Sequence, residues 1–182
     1  MVAAARLRRA QDKAAACQPY VAKMQGVLEA VAAHPANRKH PLLAQHSSDK
    51  ILYVIVTADK GLAGAYSSNL IREALAHISV TGYVGMIVTG RKGRDYFRRR
   101  DYTLVNSYIG ISERPKWDDA VNIAHEVAKG YAAGHYDQVY LVYTQFYSPM
   151  NQKATTKKLL PVEVPGVDFG SDSDDGSVSD YI

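Results

Sequence analysis

The chain has a single cysteine, Cys17, among its 182 residues, and this excludes a disulfide framework and a cysteine-built zinc site. That usage fits an intracellular protein. No apolar run approaches the ~20 residues that cross a bilayer, so contact with a membrane is expected only through partners. The signatures of common chemistries are missing as well. There is no GxxxxGK[ST] phosphate loop, and in DKGLAGAY Tyr66 stands where a dinucleotide fingerprint needs its third glycine. Ser67 and Ser68 lack the flanking glycines of a nucleophile elbow. His34, His40, His46, His77, His125 and His135 form no i,i+4 pair and no HExxH. No cofactor or metal is expected.

Carboxylates are scarce outside the last stretch. Val162 to Ile182 holds Glu163, Asp168, Asp172, Asp174, Asp175 and Asp180 with no Lys or Arg, which leaves 22 basic against 12 acidic residues elsewhere. A body of net charge +10 attracts polyanions or an acidic protein partner. The acidic stretch is rich in Gly and Ser and reads as a disordered tail over 166–182.

What is present begins with Ile51–Val56, a run of apolar and β-branched residues without alternation, as in a parallel strand covered on both faces. An Asp59-Lys60-Gly61 turn follows, then a helix through Ile78 for which Ser67, Ser68 or Asn69 can serve as cap. Further strands are expected at 82–89, 104–109, 138–146 and 153–162, the last two antiparallel, with helices at the basic GRKGRDYFRRR segment and over 116–133, where Trp117, Ala120, Val121, Ala124, Val127, Ala128 and Tyr131 form an apolar stripe and Gly134 is the stop. Strand and helix alternate, which is the pattern of an α/β fold with a mostly parallel sheet and an antiparallel edge. Asp59 and Lys60 fall at the carboxyl end of the first strand, where such folds place their sites. A lone carboxylate beside a lysine is more often a turn-former or an ion-pair partner than a general base.

Arg91, Lys92, Arg94, Arg98, Arg99 and Arg100 against the lone Asp95 create a positive field around a GxxG loop. A nucleic-acid clamp uses such a loop between two helices, whereas this one follows a strand, so a solvated or protein-binding patch is the plainer expectation.

From Met1 to about Ala33, Leu7, Ala10, Ala14, Cys17, Val21, Met24, Leu28 and Val31 recur at alternating spacings of three and four, an unbroken coiled-coil seam. The Arg-rich start lacks an apolar signal core and reads as part of this helix. Pro19 lies inside it and is expected to bend it. A helix with one apolar stripe is marginal alone, so the seam calls for a partner helix. Residues 1–34 thus read as a coiled-coil helix, 35–49 as a linker, and 50–165 as the α/β domain.

Four stretches taken together, MVAAARLRRAQ with QPY, ADKGLAGAYSSNL, VTGRKGRDYFRRR and YDQVYLVYTQFYSPMNQKATTKKLLPV, resemble the gamma subunit of F-type ATP synthases. The resemblance implies a Rossmann-like domain carrying one strand of an antiparallel coiled coil, in a non-catalytic rotor subunit that couples proton transport to ATP synthesis. It implies as partners the alpha, beta and epsilon subunits and the membrane c-ring, at the cytoplasmic face of a bacterial membrane. The family's second, carboxy-terminal helix is missing from this chain, which suggests a fragment truncated at both terminal helices. Expected partner contacts are the seam residues Leu7, Ala10, Ala14, Val21, Met24, Leu28 and Val31, and Lys60, Leu62, Tyr66 and Asn69 at the first turn. An enzyme using Asp59 and a nucleic-acid module using GRKG are the alternatives.

Overall fold

The computed structural model describes residues 2–34, 40–44, 46, 49–78, 82–148 and 150–162. The expectations for positions 35–39 of the linker and for the acidic tail lie outside these residues. Two compact units emerge, one holding the first helix and one spanning Pro41–Val162.

The first unit contains α1, Val2–Ala33, 32 residues that run through Pro19. At ~1.5 Å per residue α1 extends about 48 Å. Pro19 has no N–H to offer the Ala15 carbonyl, which is the local weakness of this helix.

In the second unit the sheet order is β3-β2-β1-β4-β5, with β1 at Lys50–Val56, β2 at Tyr83–Thr89, β3 at Thr103–Tyr108, β4 at Gln138–Ser148 and β5 at Asn151–Leu160. β1, β2, β3 and β4 are parallel, and β5 returns antiparallel along β4. Three helices complete it: α2 (Tyr66–His77), α3 (Arg91–Arg98) and α4 (Trp117–Ala132). This is the mostly parallel α/β architecture expected from the alternation of elements.

Central β1 explains its own composition. Tyr53 and Ile55 pack with Leu70, Ala74 and Phe97 of α2 and α3. Leu52 and Val54 pack with Val127 and Tyr131 of α4. Both faces are therefore core, and no polar alternation is needed. Edge strand β3 carries an extra residue, Val105, between the pairs Met86–Leu104 and Ile87–Asn106. The bulge sends Leu104 to the α2/α3 core and Tyr108 to the α4 core, and it interrupts an edge that would otherwise invite pairing.

Two local expectations are corrected. Helix α2 starts at Tyr66 with Ala65 as its N-cap and no side-chain cap, so Ser67, Ser68 and Asn69 already lie inside its first turn. The apolar stripe expected on 116–133 splits: Ile123, Val127 and Tyr131 face the core, while Trp117 and Val121, out of phase with that row, are exposed. The stop at Gly134 is borne out. Gly134 adopts φ +72, its N–H donates to Tyr131 and that of His135 donates to Gly130, a Schellman closure.

Tyrosine hydroxyls tie the layers together. Tyr53 donates to the His77 carbonyl at 3.2 Å, and Tyr131 to the Ala44 carbonyl at 2.7 Å. Tyr108 and Asn106 both donate to the Glu126 carboxylate, fastening β3 to α4. Burial is the main cause that pushes all three phenols up to about 12, helped by Tyr140 at Tyr53, by Glu126 at Tyr108 and by Asp137 at Tyr131. A raised phenol favours the neutral form in the folded state, so this stability is complete below the unfolded value near 10 and is lost as pH rises through about 12. Tyrosinate absorbance should therefore rise together with loss of the far-ultraviolet circular dichroism signal. Smooth titration of these tyrosines near pH 10 with the fold intact would contradict this.

Candidate functional site: the carboxyl end of the sheet

The turn after β1 is built by one carboxylate. Asp59 Oδ1 accepts from the Arg91 N–H at 3.2 Å and the Gly110 N–H at 2.9 Å. Its Oδ2 accepts from the Ser112 N–H at 3.1 Å and the Ser112 hydroxyl at 2.6 Å, and its own N–H donates to Ser112 Oγ at 2.9 Å. Three loops, after β1, β2 and β3, are thus clasped by a single side chain. Burial alone would raise its pKa, but the hydrogen bonds from Gly110, Ser112 and Arg91 outweigh this and hold it below the ordinary aspartate value. A carboxylate so occupied and so acidic is a poor general base, which counts against an enzyme working through Asp59.

Lys60 pairs not with Asp59 but with Glu113, joining the loops after β1 and β3 a second time, and it remains largely exposed. Leu62 is fully exposed at φ 61. Tyr66 is half-buried, and its hydroxyl donates to the Val56 carbonyl at 3.3 Å. Asn69 is exposed on the first turn of α2. Lys60 and Tyr66 line a cleft of about 510 Å³ with Ala58, Ile111, Ala120 and Ile123. Tyr66 and Asn69 also border a smaller hollow of about 230 Å³ toward β4 and β5. Lys60 and Tyr66 thus share the cleft, Tyr66 and Asn69 share the hollow, and Leu62 lines neither. The seam residues belong to the other unit, on α1, where Leu7, Val21, Met24, Leu28 and Val31 leave 49–58% of their surfaces open and Ala10 and Ala14 are also exposed. Tyr20 and Val27 are exposed as well, and their positions broaden the seam in its second half.

The GxxG loop has an internal purpose. Gly90 sits at φ 86, and a Cβ there would lie 2.3 Å from the Thr57 carbonyl oxygen. A Cβ on Gly93 would lie 2.7 Å from both Thr57 Oγ1 and Val88 Cγ1. The first-turn N–H groups of α3 are spent within the chain: Arg91 on Asp59, Lys92 on the Ala58 carbonyl, Gly93 on Thr57 Oγ1. No backbone donor remains there to cradle a phosphate, so a GRKG nucleic-acid clamp has no geometric support. Of the cations in and just after this helix, Arg94 pairs with Asp95 and Arg100 lies 3.9 Å over the Tyr96 ring.

A family model described as ATP synthase matches residues 1–182. The chain belongs to the ATP synthase family. Among curated relatives, the ATP synthase gamma chain of Pelotomaculum thermopropionicum is 42% identical over 165 residues, which are 90% of this chain and 58% of that one. The ATP synthase gamma chain of Desulfitobacterium hafniense is 41% identical over 91% of this chain and 59% of its own length. The chain thus spans somewhat under three-fifths of the curated relatives it matches. A solved structure of the central stalk and c-ring of Tetrahymena thermophila mitochondrial ATP synthase contains a chain similar at TM-score 0.59 and 28% identity, covering 74% of this chain and 59% of that one. The rotor of Euglena gracilis mitochondrial ATP synthase, at TM-score 0.50 and 19% identity over 82% of this chain and 57% of its own, shares the fold.

For this ATP synthase family member, reasoning from sequence missed two groups of residues. Ser112 carries no motif and gains its place only by meeting Asp59 across 53 positions. Tyr147 and Met150, exposed near the turn between β4 and β5, sit in a segment read simply as a hairpin connection. Their only early signal was the presence of two large apolar residues beside a turn.

Proposed function

We propose that this chain serves as the central-stalk, or rotor, subunit of a proton-translocating F-type ATP synthase. The observation that carries the reading is the exposed apolar heptad seam of α1 in a member of this family. Leu7, Ala10, Ala14, Val21, Met24, Leu28 and Val31 pack against the carboxy-terminal helix of a gamma subunit, and the resulting coiled coil enters the head of alpha and beta subunits, the small residues at Ala10 and Ala14 permitting close approach. The α/β domain, taken as 50–165 after a 35–49 linker, docks the epsilon subunit through Lys60, Leu62, Tyr66 and Asn69 and stands over the c-ring at the cytoplasmic face of a bacterial membrane. Among the described residues no helix is long and apolar enough to cross that membrane, so these partners supply the attachment. Within the intact complex the chain contributes to coupling rotation to ATP synthesis and is not itself catalytic.

Co-expression with bacterial ATP synthase alpha, beta and epsilon subunits and the carboxy-terminal helix of a bacterial gamma chain, followed by affinity capture, tests this. Replacing Leu7, Val21 and Leu28 together by Asp should lower recovery of alpha and beta more than about a hundredfold, each buried side chain contributing ~1.5–3 kcal/mol. Undiminished recovery would remove the reading.

A further inference from the structure

We propose that the free inner edge of β4, Tyr143–Ser148, takes up an extended, carboxylate-bearing strand of a partner protein, with Leu62 and Met150 as flanking apolar anchors. β1 pairs with β4 only as far as Ile55–Val142. Beyond that point β4 continues to Ser148, paired on its other side with β5 through Thr144–Ala154, Gln145–Lys153 and Phe146–Gln152. Among the described residues no strand occupies the side that β1 has vacated. Such an edge presents unpaired main-chain donors and acceptors, which is how a sheet accepts an added strand.

Side-chain geometry agrees. The hollow of about 230 Å³ lined by Ala63, Ala65, Tyr66, Asn69, Thr144 and Ala154 lies against this stretch, placed to receive one side chain of an alternating strand. β1 and β4 are parallel, so the turn carrying Leu62 and the end of β4 near Met150 lie at the same end of the sheet. Met150 is almost wholly exposed. Leu62 is fully exposed although it holds a left-handed conformation disfavoured for any side chain, so no packing within its own unit compensates the strain. Charge selects the occupant: Lys153 stands opposite Gln145 within this stretch, and Gln138 to Val162 contains no carboxylate. A strand carrying Asp or Glu complements this hairpin.

The inference rests on the first turn being a docking surface and is independent of the seam, which the Leu7, Val21 and Leu28 variant tests by itself. The probe is a short fluorescent peptide of alternating Val and Thr flanked by Glu, titrated with the full chain and read by anisotropy. It should bind, and methylation of alternate backbone nitrogens should weaken it at least about tenfold, since one or two main-chain hydrogen bonds are lost. Leu62→Gly should weaken binding while leaving the urea midpoint unchanged or higher, because glycine accepts that backbone without strain. Equal binding of the methylated peptide, failure of the Glu-flanked peptide to bind, or indifference to Leu62→Gly would each overturn the proposal. So would Leu62-dependent binding to phosphatidylserine vesicles in place of the peptide, which would make the surface a membrane contact.

Discussion

Gly90→Ala should unfold the α/β unit or come close to it. The backbone at Gly90, φ 86 and ψ 144, is nearly closed to other residues, and the new methyl would meet the Thr57 carbonyl oxygen at 2.3 Å. Carbonyl and turn cannot both retreat, because Thr57 Oγ1 also donates to the Thr89 carbonyl at 2.6 Å and accepts from the Gly93 N–H at 3.0 Å. Backbone strain and overpacking together should cost about 4–5 kcal/mol, comparable to the ~5–15 kcal/mol that holds a domain folded. Gly26→Ala in α1 is the control: nothing lies within 4 Å of its Cβ, and the helix should gain about 0.5–1 kcal/mol. Urea unfolding followed by circular dichroism measures both, and an unchanged midpoint for Gly90→Ala would show that the close approach carries no weight.

Asp59→Ala is expected to be the next most damaging change, at about 2–4 kcal/mol, because several charge-assisted hydrogen bonds are lost at once and three loops are released. Asparagine should not rescue it, since its amide nitrogen would confront N–H donors. The acid limb gives an independent check. Asp59 titrates below the ordinary aspartate value in the folded state, so its contribution is present above the unfolded value and disappears as pH falls through the folded one. The parent protein should lose stability over that acid window while Asp59→Ala shows a flatter profile. Parallel acid profiles would mean that the clasp is decorative.

Much of this fold could be read from local pattern. The uninterrupted apolar run of Ile51–Val56 announced a strand buried on both faces, and the alternation of strands with helices announced a mostly parallel sheet. Helix α1 was equally legible, because helical periodicity depends only on residues three and four apart. The clasp was not. Asp59 looked like a lone carboxylate because its partners Arg91, Gly110 and Ser112 lie between 32 and 53 positions away. Gly90 and Gly93 left a nucleic-acid loop as an alternative for the same reason, since the crowding that requires them comes from Thr57, just past the end of β1. On α4 the spacing identified the helix but not which of two adjacent apolar rows would be buried. The row of Ile123, Val127 and Tyr131 meets β1, and the row of Trp117 and Val121 does not.

The strand order sets a timetable for folding. β1 joins β2 after a short crossover, but its other neighbour, β4, begins only after Asp137, whose carboxylate receives the Lys50 N–H across 87 positions. Closing so long a loop is slow relative to the local β1-α2-β2 contacts. During synthesis, therefore, β1, β2 and β3 can assemble while one side of β1 stays open, and the hairpin of β4 and β5 completes the sheet last. In a pulse-labelling hydrogen-exchange experiment the amides of β2 should become protected before those of β5.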